Sequence, residues 1–377
     1  MPRIFIVTGE ASGDVHGANL AGAIRALRPD VELVGVGGSR MQAAGVTLLP
    51  GLKRTDAMGV TLGPAHLRAA IRNFVALARF LRRTPLDAVV FIDNPGMNLR
   101  LARIAKWAGQ RVVYYIAPQV WAWAPVRMRL IRRRVDRVIV ILPFEEELYR
   151  RAGVPCTFVG HPLLDEVAPS YDRDELRKRF GLESSAPVVG LLPGSRESEV
   201  RALLPLMLQA AAELARRHPG TRFIMAQAPS VMDELIAALS AGSSVSVHVV
   251  RDRASEVMAA SDVLLVASGT ATLQAAVVGT PMVLTYRAPW LTYWLARLLI
   301  RIDWIGLANI VAGRSIVPEL IQQDATAERL SQEASRLLTD QQAARAMRVE
   351  LLKVREALGS PGASRRAAAA VLAECRA

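Results

Sequence analysis

Residues Arg3 to Leu27 read RIFIVTGEASGDVHGANLAGAIRAL, and this stretch decides the fold. Arg3 to Val7 is a short β-rich run and reads as a strand. GEASGD is small and acidic and reads as a loop. Val15 to Leu27 carries apolar residues at helical spacing. The order returns at Ala88 to Ile92 (strand), DNPGMN (loop) and Leu99 to Ala108 (helix). Val112 to Ile116 and Val138 to Leu142 are further strands. Strands alternating with helices imply a parallel sheet with helices on both faces.

From Gly160 the chain changes character: GHPLLDEVAPSYDRDELRKRFGLESSAP has Pro, Ser and charge where a core element is apolar. It reads as a linker. Alternation resumes with the strand Val188 to Leu192, the loop PGSRESE and a helix from Val200 to Arg217. Phe223 to Ala226, Val245 to Val250 and Val263 to Ala267 continue it. The expectation is an α/β chain of two Rossmann-like parallel-sheet domains, residues 1–164 and 165–364, facing a central cleft that holds the ligand. After Ala325 the sequence is helical, broken only by GSPGAS (Gly359 to Ser364), and helix 365–377 is expected to pack on the first domain.

A chain of 377 residues with 51% apolar content can build two cores. Its net charge of +13 calls for an anionic partner. The arginines sit within apolar sequence, as in WLARLLIRIDW (Trp294 to Trp304), and no zinc-finger, ribonucleoprotein or helix-turn-helix pattern appears. No nucleic-acid partner is expected, and an anionic membrane surface leads. Cys156 and Cys375 are the only cysteines and have no CxxC spacing, which fits a reducing compartment. The N-terminus runs straight into a short strand, so no signal peptide is expected. The longest uncharged apolar run, Val112 to Val126, is cut by Pro118 and Pro125, so any membrane contact is expected to be peripheral.

Within that run, Trp121 and Trp123 follow a strand end and suit either a packed corner or a surface for a greasy ligand. Arg127, Arg129, Arg132, Arg133 and Arg134 follow them. The segments Gly63 to Arg83, with Phe74, and Trp290 to Trp304, with Trp294, are amphipathic and basic. Core-facing helices commonly give such periodicity. Arginines beside indoles favour an interfacial role, so Trp121, Trp123, Phe74, Trp290 and Trp294 are expected to face lipid.

Two loops of the second half share one form. LLPGSRESE sets Gly194, Ser195 and Arg196 between a strand and a helix, where free N–H groups receive an anion. The alternative is a capped helix whose Arg196 pairs with Glu197 or Glu199. LLVASGTATLQAA sets Ser268, Gly269, Thr270, Ala271 and Thr272 at a second such junction, with Gln274 one turn on, in reach of a ribose hydroxyl. Two anion-ready helix starts on one sheet edge suit a diphosphate. Neither loop is a Walker A or GxGxxG motif. In the first half, Glu10, Asp14 and His16 in TGEASGDVHG suit sugar hydroxyls or proton transfer, or simply cap a turn. Asp93 in IDNPGMN and His161 in GHPLLD are expected to face the same edge, or simply to be hydrogen-bonded loop residues at strand ends. The five histidines show no metal-ligand spacing, and no metal or cofactor is expected.

TGEASGDVHGANL, IDNPGMNLRLA, YYIAPQVWAW, ILPFEEELY, VGHPLLDE, LLPGSRESEV, ASGTATLQAA and LANIVAGRSIVPELIQ run in order from residue 8 to about 323. Together they resemble the lipid-A-disaccharide synthases, glycosyltransferase family 19. The resemblance implies a GT-B fold and a metal-independent, inverting transfer. UDP-2,3-diacylglucosamine would donate its sugar to 2,3-diacylglucosamine 1-phosphate, giving the β-1,6-linked disaccharide and UDP. It places the work at the cytoplasmic face of the inner membrane, on its anionic surface, in lipid A synthesis. It puts Asn309 and Glu319 on the nucleotide side and leaves a homodimer open. Where some members carry a second acid (D-x-P-D), this chain has Gly96, so Asp93 is the nearest carboxylate for a base, with Glu10, Asp14 and His16 as rivals. Many relatives have Glu at Gln274. Rival readings are another GT-B enzyme acting on a UDP-N-acetylhexosamine, such as a 2-epimerase, and a lipid-binding protein without catalysis.

Overall fold

The computed structural model describes residues 1–9, 11–50, 52, 64–117, 125–183, 185–288 and 303–375. Glu10, Trp121, Trp123, Trp290 and Trp294 lie outside the described residues. The chain divides into two compact units, Met1–Asp165 with Leu358–Ala377, and Glu166–Ala357.

The first unit is built on seven parallel strands: β1 (Arg3–Thr8), β2 (Glu32–Val36), β3 (Thr47–Leu48), β4 (Ala88–Ile92), β5 (Val112–Tyr115), β6 (Arg137–Val140) and β7 (Cys156–Phe158). Their order is β3-β2-β1-β4-β5-β6-β7. β1 pairs with both β2 and β4, with Thr8 opposite Ile92 at the carboxyl end. The strands are almost continuously apolar because helices cover both faces. Phe5, Val7, Val89, Phe91 and Tyr114 pack on one face. Ile4, Ile6, Val90, Ile92 and Tyr115 pack on the other, with Leu20 and Ile24 of the helix α1 (Ala11–Leu27). The C-terminal helix Ala363–Glu374 supplies Ala367, Ala368 and Val371 to that second layer, and Arg366 Nε donates to Val159 O at 2.8 Å.

The second unit repeats the plan with β8 (Val188–Leu192), β9 (Arg222–Gln227), β10 (Val247–Arg251), β11 (Val263–Ala267), β12 (Met282–Tyr286) and β13 (Glu319–Ile321). All run parallel in the order β10-β9-β8-β11-β12-β13. Chain order therefore reverses between β8 and β11, and ligands of open α/β sheets bind at that switch point, beyond the carboxyl ends. The apparent linker holds two short helices, Leu163–Glu166 and Arg173–Arg179. α1 starts at Ala11 rather than Val15, so Asp14 sits in its first turn and not in a loop. No helix of the described residues is long and apolar enough to cross a membrane.

Candidate active site

The carboxyl ends of β8, β9, β10 and β11 converge on a cavity of about 810 Å³. Gly194, Ser195 and Arg196 line it from the first loop, and Ser268, Gly269, Thr270, Ala271 and Gln274 from the last. Gln274 Nε2 donates to Ser255 Oγ at 2.7 Å. Asp252 and Arg253, on the loop after β10, and Ser255, at the start of the helix Ala254–Ala260, also line the cavity and were not singled out in the sequence. The signal was present: DRAS follows a strand at the same edge, and Asp252 takes φ 56°.

The two helix starts are not equivalent. At the helix Glu197–Arg217, Glu199 Oε2 accepts from Ser195 N and Arg196 N at 3.2 and 3.3 Å, and Oε1 accepts from Arg196 Nη1 at 2.7 Å. Arg196 is thus the helix cap, Ser195 is not, and the carboxylate already occupies the N–H groups. The arginine side chain is 75% exposed. An exposed pair of this kind contributes at most about 1 kcal/mol, so a phosphate can displace it. The helix Thr270–Val278 starts at Gly269 with no side-chain cap and no acid in its first turn. Its positive end meets the cavity without a carboxylate of its own. Gly269 has φ 146°, which a β-carbon disfavours, and this brings the loop backbone to the cavity wall.

Thr272, Asn309 and Glu319 do not line that cavity. Thr272 is fully buried and its hydroxyl donates to Gly269 O at 2.8 Å. Asn309, also fully buried, donates through Nδ2 to Val317 O and Glu319 Oε1 and accepts at Oδ1 from Ile316 N and Val317 N. Glu319 accepts from Ile305 N and Gly306 N, both at 2.9 Å. These groups fasten the start of the helix Leu307–Ala312 rather than opening toward the cavity.

In the first unit, the ends of β1, β4 and β5 meet in strained backbone. Asp93, Asn94 and Ile116 take φ 49°, 44° and 56°. Such conformations cost about 1–3 kcal/mol each for non-glycine residues and persist only where surroundings enforce them. Asn98 provides the enforcement: fully buried, its Nδ2 donates to Ile92 O at 3.1 Å and Asp93 O at 2.7 Å. The Tyr114 hydroxyl also donates to Asp93 O. Burial first, then the Asp93 charge, push Tyr114 well above the ordinary phenol range, so it remains a donor. Gly9 lies directly against the Asn94 side chain, where a β-carbon has no room.

The rivals to Asp93 are placed differently. Asp14 is 3% exposed and accepts from Gly38 N at 2.6 Å and from Arg40 N and Met41 N at 3.2 Å, fastening the helix α2 (Ser39–Ala43). Its oxygens serve the fold. His16 is held below the usual histidine range by burial, and its Nδ1 is buried without a hydrogen-bond partner among the described residues. His161 is pushed down to about 4 by burial and then by nearby His16, while its Nδ1 accepts from Leu163 N at 3.1 Å. Both rings are neutral near pH 7. Phe74, on the helix α3 (Pro64–Arg83), packs against the core, and Ile71 and Val75 are large apolar side chains that the helix leaves 55% and 47% exposed. Among the described residues no group of three His, Cys, Asp or Glu side chains is arranged to hold a metal ion.

A sequence profile described as lipid-A-disaccharide synthetase matches residues 4–373. The chain belongs to the lipid-A-disaccharide synthetase family. A lipid-A-disaccharide synthase of Geobacter sulfurreducens is 45% identical over 370 residues, covering 98% of this chain and 96% of the relative. That of Myxococcus xanthus is 42% identical over 371 residues, covering 98% and 97%. The relatives are enzymes, glycosyltransferases of lipid A biosynthesis, and the family assignment carries that class to this chain. Among solved structures, the calicheamicin glycosyltransferase CalG4 superposes with TM-score 0.60 at 18% identity over 99% of this chain and 98% of its own. A putative UDP-N-acetylglucosamine 2-epimerase from Listeria monocytogenes gives TM-score 0.66 at 14% identity over 98% and 95%. These similarities establish a GT-B fold. The 2-epimerase alternative has fold likeness alone behind it, whereas the family match spans nearly the whole chain.

Proposed function

We propose that this family member transfers the sugar of UDP-2,3-diacylglucosamine to 2,3-diacylglucosamine 1-phosphate with inversion, releasing UDP and forming the lipid A disaccharide 1-phosphate. The observation that carries the donor half is the 810 Å³ cavity with the uncapped helix start at Gly269 to Ala271 on its wall. A leaving diphosphate gathers negative charge as its bond to the sugar breaks, and preoriented N–H groups stabilise it. Arg196, exchanging Glu199 for a phosphate, adds a cationic fork. Gln274 and Ser255 offer hydrogen bonds to the ribose. Ser268, Gly194 and Ser195 also line the cavity.

The acceptor half falls to the first unit, with Asp93 as base. The acceptor's 6-hydroxyl attacks the anomeric carbon, the carbon–oxygen bond to UDP breaks, and Asp93 takes the hydroxyl proton. The clamp of Asn98 and Tyr114 on the Asp93 peptide supports this role, because it fixes the carboxylate's origin. Glu10 remains a rival from the sequence. The exposed Ile71 and Val75, flanked by exposed Arg68, Arg72 and Arg79, suit the anionic cytoplasmic surface of the inner membrane, where two acylated substrates reside.

The test is donor binding. UDP is expected to bind the wild-type protein and to bind Arg196→Ala about tenfold more weakly. Equal affinities would remove Arg196 from the diphosphate site, and absence of UDP binding would remove the donor cavity.

A further inference from the structure

A second cavity, of about 410 Å³, lies at the amino edge of the second sheet. Pro187 on its wall directly precedes β8, and Asp262 directly precedes β11. The donor loops leave the other ends of these five-residue strands, roughly 16 Å away at the usual rise per residue.

Its electrostatics are unbalanced. Three arginines, Arg177, Arg345 and Arg348, line it against one carboxylate, Asp262. Asp262 is already engaged by the fold: Arg177 Nη2 stands at 2.7 Å and Arg173 Nη1 at 3.0 Å, and Val188 N donates to it at 2.8 Å. Arg345 and Arg348 sit one turn apart on the helix Gln341–Ala357. Arg345 reaches only the neutral Gln341 Oε1, at 3.4 Å, and neither has an ion-pair partner among the described residues. Arg173 is held below the usual guanidinium range by burial; the Asp262 charge opposes this, and the charges of Arg177 and Arg348 add to it. Arg177 itself is 5% exposed, so it cannot shed this repulsion into water. Guanidinium forks match phosphate oxygens in bidentate geometry. The volume exceeds what a bare ion needs and falls within the range of small-molecule sites. Leu337 and Pro187 give the wall an apolar part for an organic body.

We propose that this cavity binds a soluble phosphomonoester at a site separate from the donor cavity. The phosphate lies between Arg345 and Arg348, and the organic part rests on Leu337 and Pro187.

The experiment is calorimetric titration of phenyl phosphate into the full chain at low ionic strength. It compares wild type, the double variant Arg345→Ala/Arg348→Ala, and Arg196→Ala. Both altered residues of the double variant carry solvent-accessible side chains, and its circular dichroism is expected to match wild type. Affinity is expected to fall at least tenfold in the double variant and to stay unchanged in Arg196→Ala. Inorganic phosphate is expected to bind more weakly than phenyl phosphate. Equal affinity in wild type and double variant overturns the proposal, as does no binding, or loss in Arg196→Ala alone. Sedimentation with phosphatidate vesicles separates the two sources of phosphate. Vesicle binding that depends on Arg345 and Arg348, without phenyl phosphate binding, overturns a soluble ligand in favour of a lipid headgroup.

Discussion

Replacing Asn98 with alanine removes the clamp on the Asp93 peptide. Asn98 is fully buried and holds two carbonyls, Ile92 O and Asp93 O. Asp93 O keeps the Tyr114 hydroxyl, so one buried carbonyl loses its side-chain donor and the other loses one of two. At about 1 kcal/mol per net hydrogen bond and about 1–3 for an acceptor left unsatisfied, the loss is about 2–4 kcal/mol. For a domain of this size that lowers Tm by roughly 5–10 °C. The strain at Asp93 and Asn94, about 1–3 kcal/mol each, then favours relaxation toward the β region. A carboxylate displaced by about 1 Å costs on the order of a hundredfold in rate. Turnover of the two acylated substrates, UDP affinity and the melting curve are measured together. The expected result is kcat down about a hundredfold with UDP Kd unchanged. A lower Tm with unaltered kcat would show that the clamp is structural only and that the positioning argument is mistaken. Loss of UDP binding as well would indicate general unfolding.

Other outcomes follow from the same geometry. Asp93→Asn is expected to lower turnover by about a hundredfold to ten-thousandfold with Tm within a degree or two of wild type, read by UDP release and calorimetry; near-normal turnover removes Asp93 as base. Gly269→Ala meets no atom within 4 Å but forces a β-carbon onto φ 146°, so it should cost about 1–3 kcal/mol and weaken UDP binding, measured by denaturant titration and calorimetry. For His161, the folded pKa of about 4 lies below the unfolded 6.5. The unfolded state then binds more protons between those values, so stability is full above pH 6.5 and falls as pH drops toward 4, by up to about 3 kcal/mol. His161→Asn keeps an acceptor for Leu163 N and should flatten that part of the stability profile; an unchanged slope would assign it to other groups.

The fold class was legible because both sheets are buried on two faces. Val188–Leu192 and Val263–Ala267 are unbroken apolar runs, and such runs between small-residue loops admit few architectures. The shorter edge strands were less visible: Thr47–Leu48, Cys156–Phe158 and Glu319–Ile321 span two or three residues and show no period. The loops after β8 and β11 were readable from Gly-Ser and Ser-Gly-Thr, and both line the cavity proposed for the donor. Asn309 and Glu319 fasten a helix start, and in sequence a polar side chain with that role reads the same as one that binds a ligand. The structural role of Asp14 was hidden for the same reason, its partners Gly38, Arg40 and Met41 lying more than twenty residues away. The Asn98 clamp was illegible, since nothing local reveals that Asp93 and Asn94 adopt positive φ. Phe74 was recognised as part of an amphipathic helix, but spacing alone does not say which apolar residues of α3 turn inward.

The most direct test of the central claim is UDP release by the full chain in detergent micelles. UDP-2,3-diacylglucosamine and 2,3-diacylglucosamine 1-phosphate are supplied together and each is omitted in turn. Release is expected to require both and to be lost in Asp93→Asn. Release without the acceptor, or none from a folded protein that binds UDP, would contradict it.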